Sequence, residues 1–393
     1  MNILFGKKIL IIIFLSTYLI IEHQISHKNI LFYNINVSDK VETFKYYDLI
    51  NSTDIAIKNK SILIFEPNNY HYECSPGYAK YFTDLGFNVD LLMHKIGKNS
   101  FYFYEQKDKI RMFLYDNLSQ INLLSHNFSI QMNKYDFIVI QTVNTMTKKT
   151  LFDLGLLNNK KSIFIFHHTY YYNIMKFSKI ENQNRIWTLG NFYVGLRVVP
   201  FYIGNFKIKN KNKKTRFFVV STILRNYTFL VSASEKIKEE NLDFEIIVIG
   251  KWKTLSINDI NNKTRKNYIF KYGVDFPILY QEVYNSDYII ITLDPDNNEM
   301  YKNKKVTGAA QLSYGFLKPA LINEYYKNIY NMTTENSFIY NKTNFYNVMK
   351  DAINQNNQKY QILQKNLFKL TSLIKKNSVL NVRKAFQNIL MNA

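Results

Sequence analysis

Polar side chains that could move a proton follow three apolar runs of the sequence. His71 and Glu73 follow residues 61–65 (SILIF), Thr142 follows 135–140 (YDFIVI), and His167 and His168 follow 162–166 (SIFIF). Because parallel strands end at one edge of a sheet, we expect these side chains on one rim. An imidazole or carboxylate there can deprotonate a hydroxyl, so His71 or Glu73 is the candidate general base and His167 a further catalytic candidate. Each of these histidines could instead be a structural hydrogen-bonding residue.

A second candidate site is a turn of small residues that opens a short helix. In residues 305–324 (KVTGAAQLSYGFLKPALINE), Thr307 and Gly308 precede a predicted helix, and the apolar strand ALI follows it. The first N–H groups of a helix lack intrahelical acceptors, and the helix dipole adds positive charge, so this start can bind phosphate. Thr307 would add a hydroxyl donor, and Gly308 would let a ligand approach the backbone. An ordinary tight turn between core elements is the alternative.

Alternating strands and helices must position both candidate sites. In the first half, a helix opening at Pro76 and closed by Gly86 joins two predicted strands as a βαβ unit. The pattern restarts after the lysine-rich run 207–214, with predicted strands at 216–220, 244–249, 268–271 and 288–293. The sequence therefore predicts two α/β domains with a cleft between them. Residues 345–392 have helical periodicity, and their basic, amphipathic character also permits contact with a membrane surface.

Length and composition narrow the class of protein. The 393 residues suffice for two α/β domains, and a hydrophobic content of 47% excludes global disorder. The net charge of +21 is compatible with nucleic acid, an anionic membrane or an anionic substrate. Since the sequence shows no interleaved basic and aromatic motif, we expect no nucleic-acid partner. The single cysteine, Cys74, excludes an internal disulfide, and no Cys/His spacing indicates a zinc site.

An apolar run near the N-terminus predicts a membrane anchor at residues 1–25. Lys7 and Lys8 precede residues 9–21, which as a helix would rise about 20 Å, less than the roughly 30 Å of a hydrocarbon core. No small-residue cleavage site follows, so we expect an uncleaved anchor with its N-terminus inside, followed by a stem at 26–58. This describes a single-pass type II membrane protein, facing the secretory-pathway lumen if eukaryotic, and the N-x-S/T sequons would suit such a glycoprotein. The alternative is a cytoplasmic, membrane-associated protein.

Several stretches resemble glycosyltransferases of the GT-B fold. They are FVVSTILRNYTFLVSASEKIKEENLDFEIIVIG, VDFPILYQEVYNSDYIIITL and TGAAQLSYGFLKPALINE, with PGYAKYFTDLGFNVDLL in the first half. The resemblance covers about residues 61–387 and is stronger in the C-terminal half. It implies two Rossmann-like domains, an acceptor domain at 59–206 and a nucleotide-sugar domain at 207–345, with C-terminal helices at 346–393 long enough to cross back to the first domain.

The resemblance also implies a donor site for a nucleotide-diphospho-sugar, which is a co-substrate, with no further cofactor. Arg225 and Lys251 would hold the diphosphate, Val274 and Asp275 would lie near the base, and Thr307 and Gly308 would meet the distal phosphate and sugar. Cationic groups and a helix start would stabilise the leaving nucleoside diphosphate. The implied activity is transfer of a sugar to an acceptor hydroxyl of a glycan, a lipid or a protein-linked group.

The sequence departs from retaining members of that family, which carry two glutamates eight residues apart. Lys304 or Lys305 and Gln311 or Leu312 stand at those positions. Retention or inversion of configuration therefore stays open, and so does a catalytically inactive relative that acts as a binding or scaffold subunit.

One acidic segment could hold a metal ion. Asp294 and Asp296 flank a proline after an apolar strand, and such a pair can hold Mn²⁺ against a diphosphate. Proline and two acids also form an ordinary turn. We favour the turn and predict transfer without a metal.

Overall fold

The structure, a computed structural model, describes residues 59–117, 132–174, 182–190, 192, 195–201, 204, 206–221, 225–250, 255 and 260–391. The predicted anchor at 1–25 and stem at 26–58 lie outside these residues. Among the helices of the described part, none is both long and apolar enough to cross a membrane.

The first domain is built on a parallel sheet with the strand order β3-β2-β1-β4-β5-β6-β7. Its described strands are β1 (Ser61–Glu66), β2 (Asn88–His94), β3 (Ile110–Tyr115), β4 (Phe137–Ile140), β5 (Ser162–Phe166), β6 (Ile186–Thr188) and β7 (Leu196–Arg197). Its described helices are α1 (Ser75–Asp84), α2 (Lys148–Asp153) and α3 (Thr169–Ile174). Because every pairing is parallel, all these strands end at one rim.

The side chains of β1 show why this sheet is buried on both faces. Ile62 and Ile64 lie in one core, and Leu63 and Phe65 lie in the core on the opposite face. Since successive side chains of a strand point to opposite faces, a strand covered on both sides must be continuously apolar. The run SILIF is of this kind.

The second domain repeats the architecture with the strand order β10-β9-β8-β11-β12-β13, again parallel. Its described strands are β8 (Thr215–Ser221), β9 (Phe244–Gly250), β10 (Tyr268–Tyr272), β11 (Tyr288–Ile291), β12 (Ala320–Asn323) and β13 (Phe338–Tyr340). Its described helices are α4 (Thr228–Glu239), α5 (Asn262–Arg265), α6 (Phe276–Asn285), α7 (Gly308–Phe316) and α8 (Phe345–Asn354). In both sheets the strand order reverses beside the first strand, where ligands bind in open α/β sheets.

A long C-terminal helix, α9 (Asn357–Met391), packs on both domains. Tyr360 near its start lies in a core of the second domain, and Phe386 near its end lies in a core of the first. Between them, the Ser378 hydroxyl accepts a hydrogen bond from the backbone N–H of Val199 at 3.1 Å. The helix therefore fixes how the two domains sit together.

The prediction of two parallel α/β domains is confirmed. Gly86 follows the end of α1 in the left-handed region, with φ of 85°, where glycine has no steric cost. The sequence analysis missed four strands, β3, β6, β7 and β13. Of these, β6, β7 and β13 are only two or three residues long, and β3 carries Arg111 within its apolar pattern.

Candidate active site between the two sheets

A buried carboxyl group lies at the end of β1. Glu66 is fully buried and accepts hydrogen bonds from the backbone N and Nδ2 of Asn68 at 2.9 and 3.0 Å. Its second oxygen accepts from Nε2 of Gln141 at 2.9 Å and from the hydroxyl of Thr142 at 2.5 Å. Burial raises the pKa of Glu66 to about 7, although the hydrogen bonds from Thr142 and Asn68 and the charge of His71 favour its ionised form. This carboxyl is thus poised to change charge near neutral pH.

The same network holds the loop that carries His71. His71 adopts a left-handed conformation, with φ of 66° and ψ of 19°, which is uncommon for a side chain with a Cβ. Nε2 of Gln141 donates to the His71 carbonyl at 2.7 Å as well as to Glu66. Oε1 of Gln141 accepts from the hydroxyl of Ser75, the first residue of α1, at 2.6 Å. One amide therefore joins the end of β1, the His71 loop and the start of α1.

The predicted base candidates His71 and Glu73 form a pair. Nδ1 of His71 lies 3.2 Å from Oε1 of Glu73, and the two side chains are 32% and 29% exposed. With Nδ1 donating to Glu73, Nε2 of His71 is the nitrogen left to accept a proton. Burial raises the pKa of Glu73, but the hydrogen bond and charge of His71 outweigh it, so the pKa lies below its usual range. Glu73 therefore acts as the ionised partner that orients the imidazole.

The third catalytic candidate, His167, lies against His71. Their rings are stacked with centroids 4.2 Å apart, and Nε2 of His167 donates to the Gln141 carbonyl at 3.0 Å. Burial holds the pKa of His167 well below its usual range, and the charges of His71 and Lys305 lower it further. The ring is therefore neutral at physiological pH. It packs against the ring of His71, and its own Nε2 is already hydrogen-bonded to the Gln141 carbonyl.

A short segment before α7 joins the two domains. Lys305 forms an antiparallel bridge with His168, and the carbonyl of Lys304 accepts from the backbone N of Thr169 at 3.1 Å. Further along, a Cβ on Gly190, beyond β6, would lie 3.0 Å from Cγ2 of Val306. The carboxyl ends of the two sheets therefore face each other, with this segment in contact with the first-domain rim.

The candidate donor residues Thr307 and Gly308 begin α7 at this junction. Thr307 makes no side-chain capping bond in the described part, and its backbone N donates to the hydroxyl of Tyr330 at 3.2 Å. A Cβ on Gly308 would meet no atom of the described residues within 4 Å, so among them its backbone is open to a ligand. The N-terminal turn of α7 is thus a feasible anion-binding surface.

The candidate Arg225 lies close to the start of α7. Its guanidinium carbon is 4.6 Å from the centre of the Tyr301 ring, and its positive charge opposes the burial that raises the pKa of Tyr330. Its Nη1 is buried and makes no hydrogen bond with any described residue. Arg225 and the start of α7 therefore share Tyr330 as a neighbour, and one Arg225 donor has no acceptor in the described part of the chain.

The other three candidates for the donor site are Lys251, Val274 and Asp275. Lys251 lies outside the described residues. Val274 is half-buried against a core of the second domain. Asp275 is exposed and caps α6, with its carboxylate 3.5 Å from the backbone N of Ile278.

The segment with two acids forms a turn. The side chain of Asp294 accepts from the backbone N of Asp296 at 3.2 Å and from Nδ2 of Asn297 at 2.9 Å, while Asp296 pairs with Lys342. Within the described ranges, no group of three or more His, Cys, Asp or Glu side chains is arranged to hold a metal ion.

The sequence analysis missed three residues of the junction. Glu66 and Gln141 form the network described above. Glu66 is the last residue of β1 and Gln141 directly follows β4, and this position at strand ends was the available signal. Gln311 of α7 is 5% exposed, and its Oε1 accepts from Sγ of Cys74, the residue before α1, at 3.8 Å. Its Nε2 has no hydrogen-bond partner among the described residues. An open cavity of about 450 Å³ lies elsewhere, beside the start of α9, and none of these residues line it.

Comparison with known proteins supports the fold. No protein-family model and no curated protein sequence matches the chain. The Anabaena protein Alr3699/HepE, solved in complex with UDP-glucose, superposes with a TM-score of 0.50 at 12% identity, over 85% of this chain and 100% of its own. E. coli ADP-heptose lps heptosyltransferase II gives 0.47 at 7% identity, over 75% of this chain and 99% of its own. Thermobaculum terrenum O-GlcNAc transferase also gives 0.47 at 7%, over 84% and 68%. The chain has the GT-B fold.

Proposed function

We propose that the chain is a glycosyltransferase that moves a sugar from a nucleotide-diphospho-sugar to an acceptor hydroxyl without a metal ion. The observation that carries the proposal is the pairing of His71 with Glu73 on one rim, with the start of α7 in the facing domain. The loop of His71 approaches α7 through the contact of Cys74 with Gln311. A proton acceptor and an anion-binding helix start are the two groups that this transfer needs.

In this mechanism, His71 removes the proton of the acceptor hydroxyl through Nε2. Glu73 stabilises the imidazolium that forms, because its carboxylate already lies at Nδ1. Gln141 and Glu66 fix the His71 backbone, so that the imidazole need not reorganise during the reaction.

On the donor side, the growing negative charge of the leaving diphosphate would meet the N-terminal turn of α7 and the guanidinium of Arg225. Nη1 of Arg225 is buried and unbonded in the described part, so a phosphate oxygen would supply the acceptor it lacks. Thr307 and Gly308 would contact the distal phosphate, and we expect Lys251 to add a second cation. The Anabaena protein was solved with UDP-glucose, so UDP-sugars are the first donors to test.

A titration of the full chain with nucleotides tests the donor site. We expect UDP, or another nucleoside diphosphate, to raise the melting temperature equally with and without EDTA. Arg225→Ala should weaken binding roughly 10- to 100-fold, because a charged hydrogen bond contributes about 1.5–3 kcal/mol. Lys148→Ala removes an exposed cation from α2 and is the matched control. Absence of a shift with every nucleotide would remove the donor site from the proposal, and a shift abolished by EDTA would contradict metal independence.

Release of nucleoside diphosphate from a UDP-sugar, followed by chromatography, tests the base. His71→Ala should lower kcat about 10²- to 10⁴-fold while leaving nucleotide binding intact. His94→Ala is the control, since His94 ends the neighbouring strand β2, where it accepts from the backbone N of Ile96 and contacts the ring of Tyr115. Full activity in His71→Ala would exclude this residue as the base.

A second candidate function is binding of a nucleotide-sugar or glycan without turnover. It is favoured by the amide of Gln311 and the lysines 304 and 305, where retaining relatives carry glutamates. Nucleotide binding by the native chain with no product from any sugar donor would support this alternative.

A further inference from the structure

The helix α9 presents a solvent-exposed line of apolar side chains. Ile362, Leu373, Leu380 and Met391 are 48%, 54%, 45% and 75% exposed. Their spacings are close to whole numbers of helical turns, so they lie along one line about 44 Å long. The opposite side of α9 is buried against both domains, which holds this line rigidly on the outside of the molecule.

Lysines flank this apolar line over its whole length. They are Lys359, Lys365, Lys369, Lys376 and Lys384, all exposed. The helix contains no Asp or Glu. Two acids of the rest of the chain lie beside it: the Glu335 carbonyl accepts from Nδ2 of Asn366 at 3.0 Å, and Asp84 pairs with the largely buried Lys375 at 3.0 Å. We call these five lysines and the four apolar residues the α9 ridge.

We propose that the α9 ridge docks on an anionic membrane surface. Lysine side chains can lie along a bilayer with their ammonium groups at the phosphates, while the apolar line enters the interface between headgroups and acyl chains. Each lysine near an anionic surface contributes about 1 kcal/mol, so the ridge has a strong charge complementarity to such a surface. The inference stands independently of the proposed catalytic function.

The same observations disfavour two other occupants. A second copy of α9 would bring lysines opposite lysines, and Asn366 and Gln387 interrupt the apolar line, so pairing would be repulsive and poorly packed. A nucleic acid would meet the lysines but leave the apolar line against phosphates. An anionic lipid surface is complementary both to the lysines and to the apolar line.

A fluorescent probe on the ridge tests the proposal directly in the full chain. Leu373→Cys can be labelled with an environment-sensitive dye, because the chain's own Cys74 is buried and burial raises the pKa of its thiol well above the usual range. We expect a blue shift with vesicles of phosphatidylcholine and phosphatidylglycerol, a much smaller one with phosphatidylcholine alone, and reversal by 0.5 M salt. The same dye on Phe152→Cys, an exposed position of α2, should not respond. Because the dye reports on α9, membrane contact by residues 9–21 cannot replace this signal.

Charge variants separate the ridge from the general positive charge of the chain. Replacing Lys365, Lys369, Lys376 and Lys384 by Gln should reduce the partition coefficient on anionic vesicles by about 100-fold or more, at roughly fivefold for each lysine. The control replaces four exposed lysines on α2, α5 and the loops beside them, namely Lys148, Lys160, Lys263 and Lys266, and should bind like the native chain.

Four outcomes would overturn the proposal. The first is an unchanged emission of the dye at position 373 with anionic vesicles, and the second is an equal loss of vesicle binding in both lysine variants. The third is a shift of the emission that depends on protein concentration without vesicles, and the fourth is an equal shift of the emission with polyuridylic acid. The third would indicate a second copy on the ridge, and the fourth a nucleic acid.

Discussion

Replacement of Glu66 by Gln tests the buried network beneath His71. In the unfolded chain this carboxyl ionises near pH 4.5, whereas in the folded chain its pKa is about 7. The folded chain therefore binds the proton more tightly, and its contribution to stability, fully present below pH 4.5, is lost as the pH rises through 7. Each pKa unit corresponds to 1.36 kcal/mol, so the loss amounts to about 3 kcal/mol. Glu66→Gln carries no ionisable group and removes this dependence.

The observable is the difference in unfolding free energy between Glu66→Gln and the native chain. We expect this difference to shift in favour of the variant by about 3 kcal/mol from pH 4.5 to pH 8. The amide of the variant also faces Nε2 of Gln141, which then loses one of its two acceptors and keeps the His71 carbonyl. This loss costs about 1–3 kcal/mol at every pH. His167, whose lowered pKa destabilises the fold on acidification, acts equally in both chains and cancels. The diagnostic quantity is therefore the change with pH in the difference in unfolding free energy, and not the value of that difference at one pH.

Urea unfolding monitored by tryptophan fluorescence provides the measurement. In a Trp252→Phe background, which removes the second tryptophan of the chain, the transition of the fully buried Trp187 reports on the domain that contains Glu66. Glu335→Gln, at an exposed position, controls for the change in net charge. A difference that stays constant between pH 4.5 and 8, or one that moves in favour of the native chain at high pH, would refute the raised pKa.

Three further predictions concern stability. Gly77→Ala should lower the unfolding free energy by about 1–3 kcal/mol, because its Cβ would lie 2.7 Å from the backbone N of Phe201. Ser378→Ala should cost about 1–3 kcal/mol, because the buried N–H of Val199 loses its acceptor. Lys318→Met should raise the melting temperature at pH 7, because burial holds the pKa of this ammonium well below its usual range and its carbonyl partner keeps a second lysine donor. Chemical and thermal unfolding measure all three.

Each of these changes has a matched control. Gly308→Ala, whose new Cβ has no atom of a described residue within 4 Å, should unfold like the native chain, and so should Ser372→Ala on the same helix as Ser378. Lys359→Met, at an exposed position, controls for Lys318. If Gly77→Ala is as stable as the native chain, α1 can move away from the chain at Phe201. If Lys318→Met is less stable than the native chain, the ammonium stabilises the fold.

Much of the fold can be predicted from local patterns of the sequence. The strands β1, β5, β8 and β9 each contain a continuous apolar run rich in β-branched and aromatic residues, which is typical of sheets buried on both faces. Gly86 marks the end of α1, because the position after a helix favours a left-handed residue. These signals depend on neighbouring residues only, so they can be read without knowing the fold.

The candidate site depends on contacts that such patterns do not contain. Glu66 ends β1 as an ordinary polar residue could, and its hydrogen bonds come from Asn68, Gln141 and Thr142, two of which lie at a distant strand end. The left-handed backbone of His71 is held by Gln141 as well as by the N–H of Cys74, and the bond from Gln141 cannot be predicted from neighbouring residues. The rim could be predicted from the sequence, whereas the hydrogen bonds that join Glu66, Gln141 and His71 could be found only in the structure.

The network beneath His71 combines three features that each cost stability. A left-handed residue with a Cβ costs about 1–2 kcal/mol, Glu66 is a buried carboxyl with a raised pKa, and His167 is buried in its neutral form. A loop that served only to connect β1 to α1 could avoid all of them with a glycine and apolar side chains. Their concentration at the point where the first-domain rim meets the segment before α7 is therefore best explained by the task of fixing one imidazole. The strain at His71 and its position on the rim that meets the segment before α7, whose start we propose to bind the diphosphate, support the same conclusion independently, since one is a property of the backbone and the other of the domain arrangement.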